Sequence, residues 1–242
     1  MVAPPDNDVL AARSLHCSLG GFPALTGVSL GVRAGHILAV CGPRGSGKTT
    51  LLRCLSGQLV PQEGEVFFDG QEIHTLGAAR RERLRSDSFG WVGPTPSLVP
   101  ELNGWENAAL PLLLRGSSHR AAKATALEWM ERLDVADCAR SKPAALPQDR
   151  RQRIAVARAL ATAPAVLFAD EPTAALHASD RVHVLRTLTT AARSHQITVV
   201  LTGADDQVTA LADDTVRLVD GRRADAPTDP EAEGQEACSL SV

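Results

Sequence analysis

Eight consecutive residues, Gly42-Pro43-Arg44-Gly45-Ser46-Gly47-Lys48-Thr49, carry the spacing G-x-x-x-x-G-K-[ST]. The spacing has a chemical reason. Small residues let successive backbone N–H groups wrap one phosphate, and a helix starting at the lysine aims its positive end at the same anion. Lys48 then reaches the β- and γ-phosphates of a nucleoside triphosphate, the Thr49 hydroxyl takes a Mg²⁺ position, and Thr50 completes the nucleotide-binding run. No N-K-x-D stretch that would read guanine occurs in the chain, so the motif points to ATP with Mg²⁺.

A second set of groups fits the same chemistry. Ala165-Val166-Leu167-Phe168-Ala169 is an unbroken apolar run that ends in Asp170-Glu171. On a neighbouring strand, Asp170 would approach the metal through water. Glu171 would polarise the attacking water as a general base, a role worth about 10²–10⁴-fold in rate. A solvent-facing pair of strand-end acids looks the same in isolation. Its place downstream of a phosphate loop, with Pro172-Thr173 following, favours the catalytic assignment.

These groups need a scaffold, and the chain supplies one. Apolar runs alternate with amphipathic stretches, the βα pattern of a parallel sheet covered by helices. Strands are expected over His36–Cys41, Glu65–Phe68, Ala165–Ala169 and Ile197–Thr202, with an edge strand over Thr215–Val219. Lys48–Ser56 is expected to be helical. Trp105–Arg115 and Ala121–Leu133 are rich in Ala and Leu and lack strand-like runs, so a helical insertion is expected over about 95–145. Residues 1–9 are expected to be unstructured. The acidic segment 224–242, with five acids and no basic residue, is expected to be a flexible tail.

Composition excludes several classes. With 242 residues and 44% hydrophobic content the chain can bury a full α/β core. A net charge of −3 argues against a nucleic-acid binder. The five cysteines form no C-x-x-C pair, which points to a reducing compartment and not to a zinc site or disulfide framework. No stretch approaches the ~20 apolar residues of a membrane span, so work at a membrane requires another chain as anchor. Trp91, Trp105 and Trp129 are assigned to packing, and the Arg80–Arg85 cluster to a solvated helix face. His177 and His183 lack the spacing of a metal pair.

Over about Leu10 to Gly221 the chain resembles the ABC ATPase family. The carrying segments are GPRGSGKTTLLRCLSG (42–57), GEVFFDGQEI (64–73), QRIAVARALATAPAVLFADEPT (152–173) and ITVVLT (197–202). Within that family ENAALPLLLRG (106–116) looks most like the lipoprotein-releasing and macrolide-export group. The resemblance implies a RecA-like P-loop core with an antiparallel β portion and an inserted helical subdomain. It implies two subunits, as homo- or heterodimer, that sandwich two ATPs between phosphate loops and signature loops. It further implies a cytoplasmic chain docked on an integral-membrane permease.

The departures cluster at that sandwich. The family's signature L-S-G-G-Q aligns with Leu146-Pro147-Gln148-Asp149-Arg150, which lacks the serine hydroxyl and glycine N–H groups. Asp149 adds negative charge there, with Arg150 or Arg151 as the expected counter-charge. Pro94 stands where a glutamine should follow FGWVG, and no glutamine occurs between Gln71 and Gln148. Gly203 replaces the histidine expected after the 197–202 strand. The D-loop reads Ala174-Ala175-Leu176-His177 in place of S-A-L-D. Leu19 occupies the position of the aromatic that stacks on adenine, with Phe22 or His16 as substitutes. The expected function is therefore an ATP-binding transporter subunit with weak or partner-dependent hydrolysis. A non-hydrolysing regulatory module is the alternative, followed by an ABC ATPase outside transport.

Overall fold

The computed structural model describes residues 8–203 and 206–224. Chain order begins with β1 (Asp8–Leu19) and β2 (Phe22–Arg33), a hairpin over Gly20-Gly21. Next come β3 (Ile37–Cys41), α1 (Lys48–Leu55), β4 (Glu63–Phe68) and β5 (Gln71–Glu72). α2 (Ala78–Ser88) leads into β6 (Phe89–Val92), followed by α3 (Gly104–Leu114), α4 (His119–Arg132) and α5 (Gln148–Leu160). The last third holds β7 (Val166–Ala169), α6 (Ala178–Ser194), β8 (Thr198–Gly203), α7 (Asp206–Thr209), β9 (Asp214–Val219) and β10 (Arg222–Arg223).

The strands form two sheets. One is antiparallel, in the order β2-β1-β4-β5. The other runs β10-β9-β3-β8-β7-β6 and is parallel from β9 to β6, with β10 antiparallel at one end. Alternation along the parallel strands decides the layers. Ile37, Ala39, Leu167, Ala169, Val199 and Leu201 face one way, into a core shared with α3 to α6. Leu38, Val40, Val166, Phe168 and Val200 face the other, against α1 and the antiparallel sheet. This is the mixed α/β architecture, with an antiparallel portion, that the sequence leads one to expect.

Helices follow local signals. At the start of α3, Asn103 accepts the Glu106 N–H while Glu106 accepts the Asn103 N–H, a reciprocal cap worth about 1 kcal/mol. α2 buries none of its residues, so Arg80–Arg85 is a solvated face, with Arg85 reaching back to the Gly57 carbonyl. Trp105 and Trp129 are buried in the core shared by the helices, and Trp91 packs on Phe168. Among the described residues Cys17, Cys41, Cys54 and Cys138 form no disulfide, and burial next to Cys17 pushes the Cys54 thiol well above its ordinary range. Cys238 lies outside the described residues.

Two expectations change. Asp8 and Val9, placed in an unstructured start, belong to β1, where Asp8 pairs with Arg33 of β2 and the Val9 carbonyl accepts the Asp69 N–H just past β4; the rest of that start lies outside the described residues, as does the acidic tail beyond 224. The 215–219 strand is not an edge, because β9 pairs with β3 on one side and β10 on the other. The β1–β2 hairpin and the four-residue β6 are elements the sequence reading did not separate.

Candidate functional site

Parallel register brings the carboxyl ends of β3, β7 and β8 level: Cys41 pairs with Gly203, and Ala169 with Leu201. Ligands of open α/β sheets bind at such an end. The loop from Gly42 to Gly47 leaves β3 and runs into α1 at Lys48. Gly42 has φ 148°, and a Cβ there would lie 2.1 Å from the Leu218 carbonyl oxygen, so no side chain fits.

The two halves of the expected site meet. Lys48 is buried, and its Nζ donates to the carbonyls of Gly42 at 2.9 Å and Pro43 at 3.0 Å. The same ammonium pairs with Glu171 Oε1 at 3.3 Å. Thr49 donates its hydroxyl to Asp170 Oδ1 at 3.1 Å, which joins α1 to the end of β7. Glu171 sits in the left-handed region at φ 44°, a conformation that costs a non-glycine residue about 1–3 kcal/mol. Its N–H is held by Thr202 Oγ1 at 2.8 Å, and the Thr202 hydroxyl donates to Asp170 Oδ1 at 3.0 Å. Thr202 was read from the sequence only as a strand end. Its role follows from β7–β8 register, which places it beside Asp170, and nothing local in the sequence marks it.

A cleft of about 330 Å³ opens over these groups, lined by Lys48, Thr49, Thr50, Asp170 and Glu171 together with Arg44 and Gly45. Leu19 and Pro94 also line it, so both of these departures lie at the cleft itself. Phe22 and His16 do not line it, and Phe22 is 79% exposed at the hairpin tip. The donor set suits a magnesium triphosphate. A cation faces a hydroxyl paired with a carboxylate, hard oxygen donors of the kind Mg²⁺ takes. The buried Ser46 hydroxyl has no hydrogen-bond partner among the described residues.

The other departures lie away from the cleft lining. Pro147 caps α5 without a side-chain hydrogen bond, and Gln148 and Asp149 open that helix. The counter-charge to Asp149 is Arg153, at 2.8 Å, and not primarily Arg150 or Arg151. Arg150 reaches Asp149 only at 3.9 Å and turns to Asp137 at 2.7 Å, which satisfies it within the chain. Gln152, buried on the same helix, donates to the Gly93 carbonyl at 2.9 Å, tying α5 to the residue before Pro94. His177 is the exposed N-cap of α6 and makes no side-chain cap bond. At Gly203 a Cβ would lie 2.4 Å from Val208 Cγ2, so α7 fills the space a side chain would need.

A phosphate loop between β3 and α1, facing a strand that ends in two acids, defines a P-loop nucleotide-binding protein with a RecA-like core. Comparison with known proteins then gives the family. The ABC transporter family model matches residues 25–174, and the chain belongs to that family. The ABC transporter ATP-binding protein YbbA of Escherichia coli K12 is 38% identical, over 90% of this chain and 97% of its own length. The ABC transporter ATP-binding protein Rv0073 of Mycobacterium tuberculosis is 39% identical over 82% of this chain. The match spans only 61% of that relative's length. The dimeric, post-hydrolysis structure of the ATP-binding cassette MJ0796 with ADP and Pi superposes with a TM-score of 0.81. It is 30% identical and covers 89% of this chain and 96% of its own. Among the described residues no helix is long and apolar enough to cross a membrane.

Proposed function

We propose that this chain binds MgATP in the cleft between α1 and β7 and uses it to drive or gate a membrane permease, with slow hydrolysis. The convergence of Lys48, Thr49, Asp170 and Glu171 on one cleft supports this most strongly. Backbone groups of Gly42–Thr50 cradle the phosphates. Lys48 exchanges Glu171 for the β- and γ-phosphates, which frees the carboxylate to orient water as a general base. The Thr49 hydroxyl, and Asp170 through water, hold the metal, while Thr202 keeps both acids in place. When bound, Mg²⁺ neutralises charge on the phosphate oxygens.

Slow turnover is supported by Pro94, Pro147–Arg150, His177 and Gly203. Phosphoryl transfer depends on positioning and charge stabilisation, and the groups that would align water and close a subunit sandwich are replaced. The same replacements, with Val208 packed against Gly203, also support a second function, a regulatory module that closes on ATP without useful hydrolysis. The proposal includes a second ABC ATPase subunit, a cytoplasmic place on the inner face of the membrane through the permease, and no nucleic-acid partner. It also includes one ABC domain over 10–223 with a helical subdomain near 95–145, where α3 and α4 lie.

The test measures ATP binding and turnover by the purified chain, alone and with the permease on which it is proposed to dock. Binding by the chain alone, with turnover that rises on adding the permease, is the expected result. Absence of ATP binding overturns the site assignment, and a rate indifferent to the permease overturns the coupling.

A further inference from the structure

Of the cations around the cleft, Lys48 is already engaged by Gly42, Pro43 and Glu171. Arg44 differs. It lines the same cleft, is exposed, and its guanidinium makes no hydrogen bond or ion pair with another described residue. Its place along the cleft is fixed by its neighbours. The Lys48 ammonium is held by the carbonyls of the two residues just before Arg44, and Glu171 touches that ammonium. Arg44 therefore lines the cleft from the loop residue that directly follows the two carbonyls holding the lysine head. The apolar Leu19 and Ala24 provide lining of another kind, suited to a base and not to a phosphate.

Charge balance gives this position weight. The charged residues lining the cleft are Arg44, Lys48, Asp170 and Glu171, which sum to zero. Without Arg44 the lining would be net negative toward a polyanion. A triphosphate brings a further charged group where a diphosphate ends, and a planar guanidinium can grip that group through two parallel N–H bonds.

We propose that the Arg44 guanidinium binds the terminal phosphate and sets the preference of this site for ATP over ADP. The proposal rests on the MgATP reading above. An arginine on the phosphate loop would then supply, from within the chain, part of the γ-phosphate contact that a partner's Pro147–Arg150 segment lacks.

Calorimetric titration of the full chain with ATP and with ADP, each with Mg²⁺, tests this on wild type, Arg44→Ala and Arg44→Lys. Arg44→Ala is expected to weaken ATP about tenfold and ADP less than about twofold, because only ATP offers the third phosphate. Arg44→Lys keeps the charge but loses the fork and should fall between. An unchanged melting temperature without nucleotide shows that each variant is folded. Equal losses for ATP and ADP, or no loss for either, overturn the role of Arg44 while wild-type binding leaves the site assignment intact. A wild type that binds neither nucleotide overturns both.

Discussion

Thr202 donates its hydroxyl to Asp170 at 3.0 Å and accepts the Glu171 N–H at 2.8 Å, so one buried β8 side chain holds both acids at the end of β7. Thr202→Val keeps the shape and deletes the oxygen. A strained Glu171 backbone then loses its partner, and unfolding free energy should fall by about 1–3 kcal/mol. Urea titration of wild type and variant measures this, and equal midpoints would refute the role given to Thr202.

Lys48 is the cation common to the loop and to Glu171. Lys48→Ala should weaken ATP binding at least tenfold, or about 1.4 kcal/mol. Equal affinity in wild type and variant would falsify the phosphate-loop assignment.

Val208 Cγ2 lies 2.4 Å from where a Gly203 side chain would begin. Installing the expected histidine by Gly203→His should therefore cost about 1–3 kcal/mol of stability unless Val208 is also reduced to Ala. With that room made, the histidine and restored signature glycines together should raise turnover more than either alone, because groups acting as a unit are non-additive. Melting curves and phosphate release read the two effects separately. A stable Gly203→His single variant would show that α7 yields.

What the sequence revealed depended on how local each signal is. The β3–loop–α1 unit and the strand ending in Asp170-Glu171 are contiguous motifs, and both were legible. The β1–β2 hairpin was not. Its register shifts between Ala12 and Leu15 and again near Cys17, and Ser14 at φ 45° breaks the alternation that marks a strand. Thr202 beside Asp170 joins segments whose proximity the tertiary structure sets, and Val208 over Gly203 depends on how α7 folds back. Arg153, by contrast, lies one turn from Asp149 on α5 and follows from helix spacing once that helix is placed. Leu19, singled out from the sequence, does line the cleft, but the absence of Phe22 from it required the hairpin tip to be seen.

Among the described residues no helix is long and apolar enough to span a bilayer, and the proposed docking on a permease can be tested on the chain alone. The purified chain should stay in the supernatant when protein-free lipid vesicles are sedimented. Co-sedimentation of the chain alone would contradict docking through a permease.

The central claim is that ATP binding is kept while its hydrolysis is slow. Steady-state phosphate release by the purified full chain at saturating MgATP tests it most directly, with Glu171→Gln as the control for the general base. Turnover should lie far below the ~1–10³ s⁻¹ common among enzymes, and Glu171→Gln should remove what remains while sparing ATP binding. Release at several molecules per second by the chain alone, lost in Glu171→Gln, would contradict the account and make Pro94, Pro147–Arg150, His177 and Gly203 tolerated variants of a working motor.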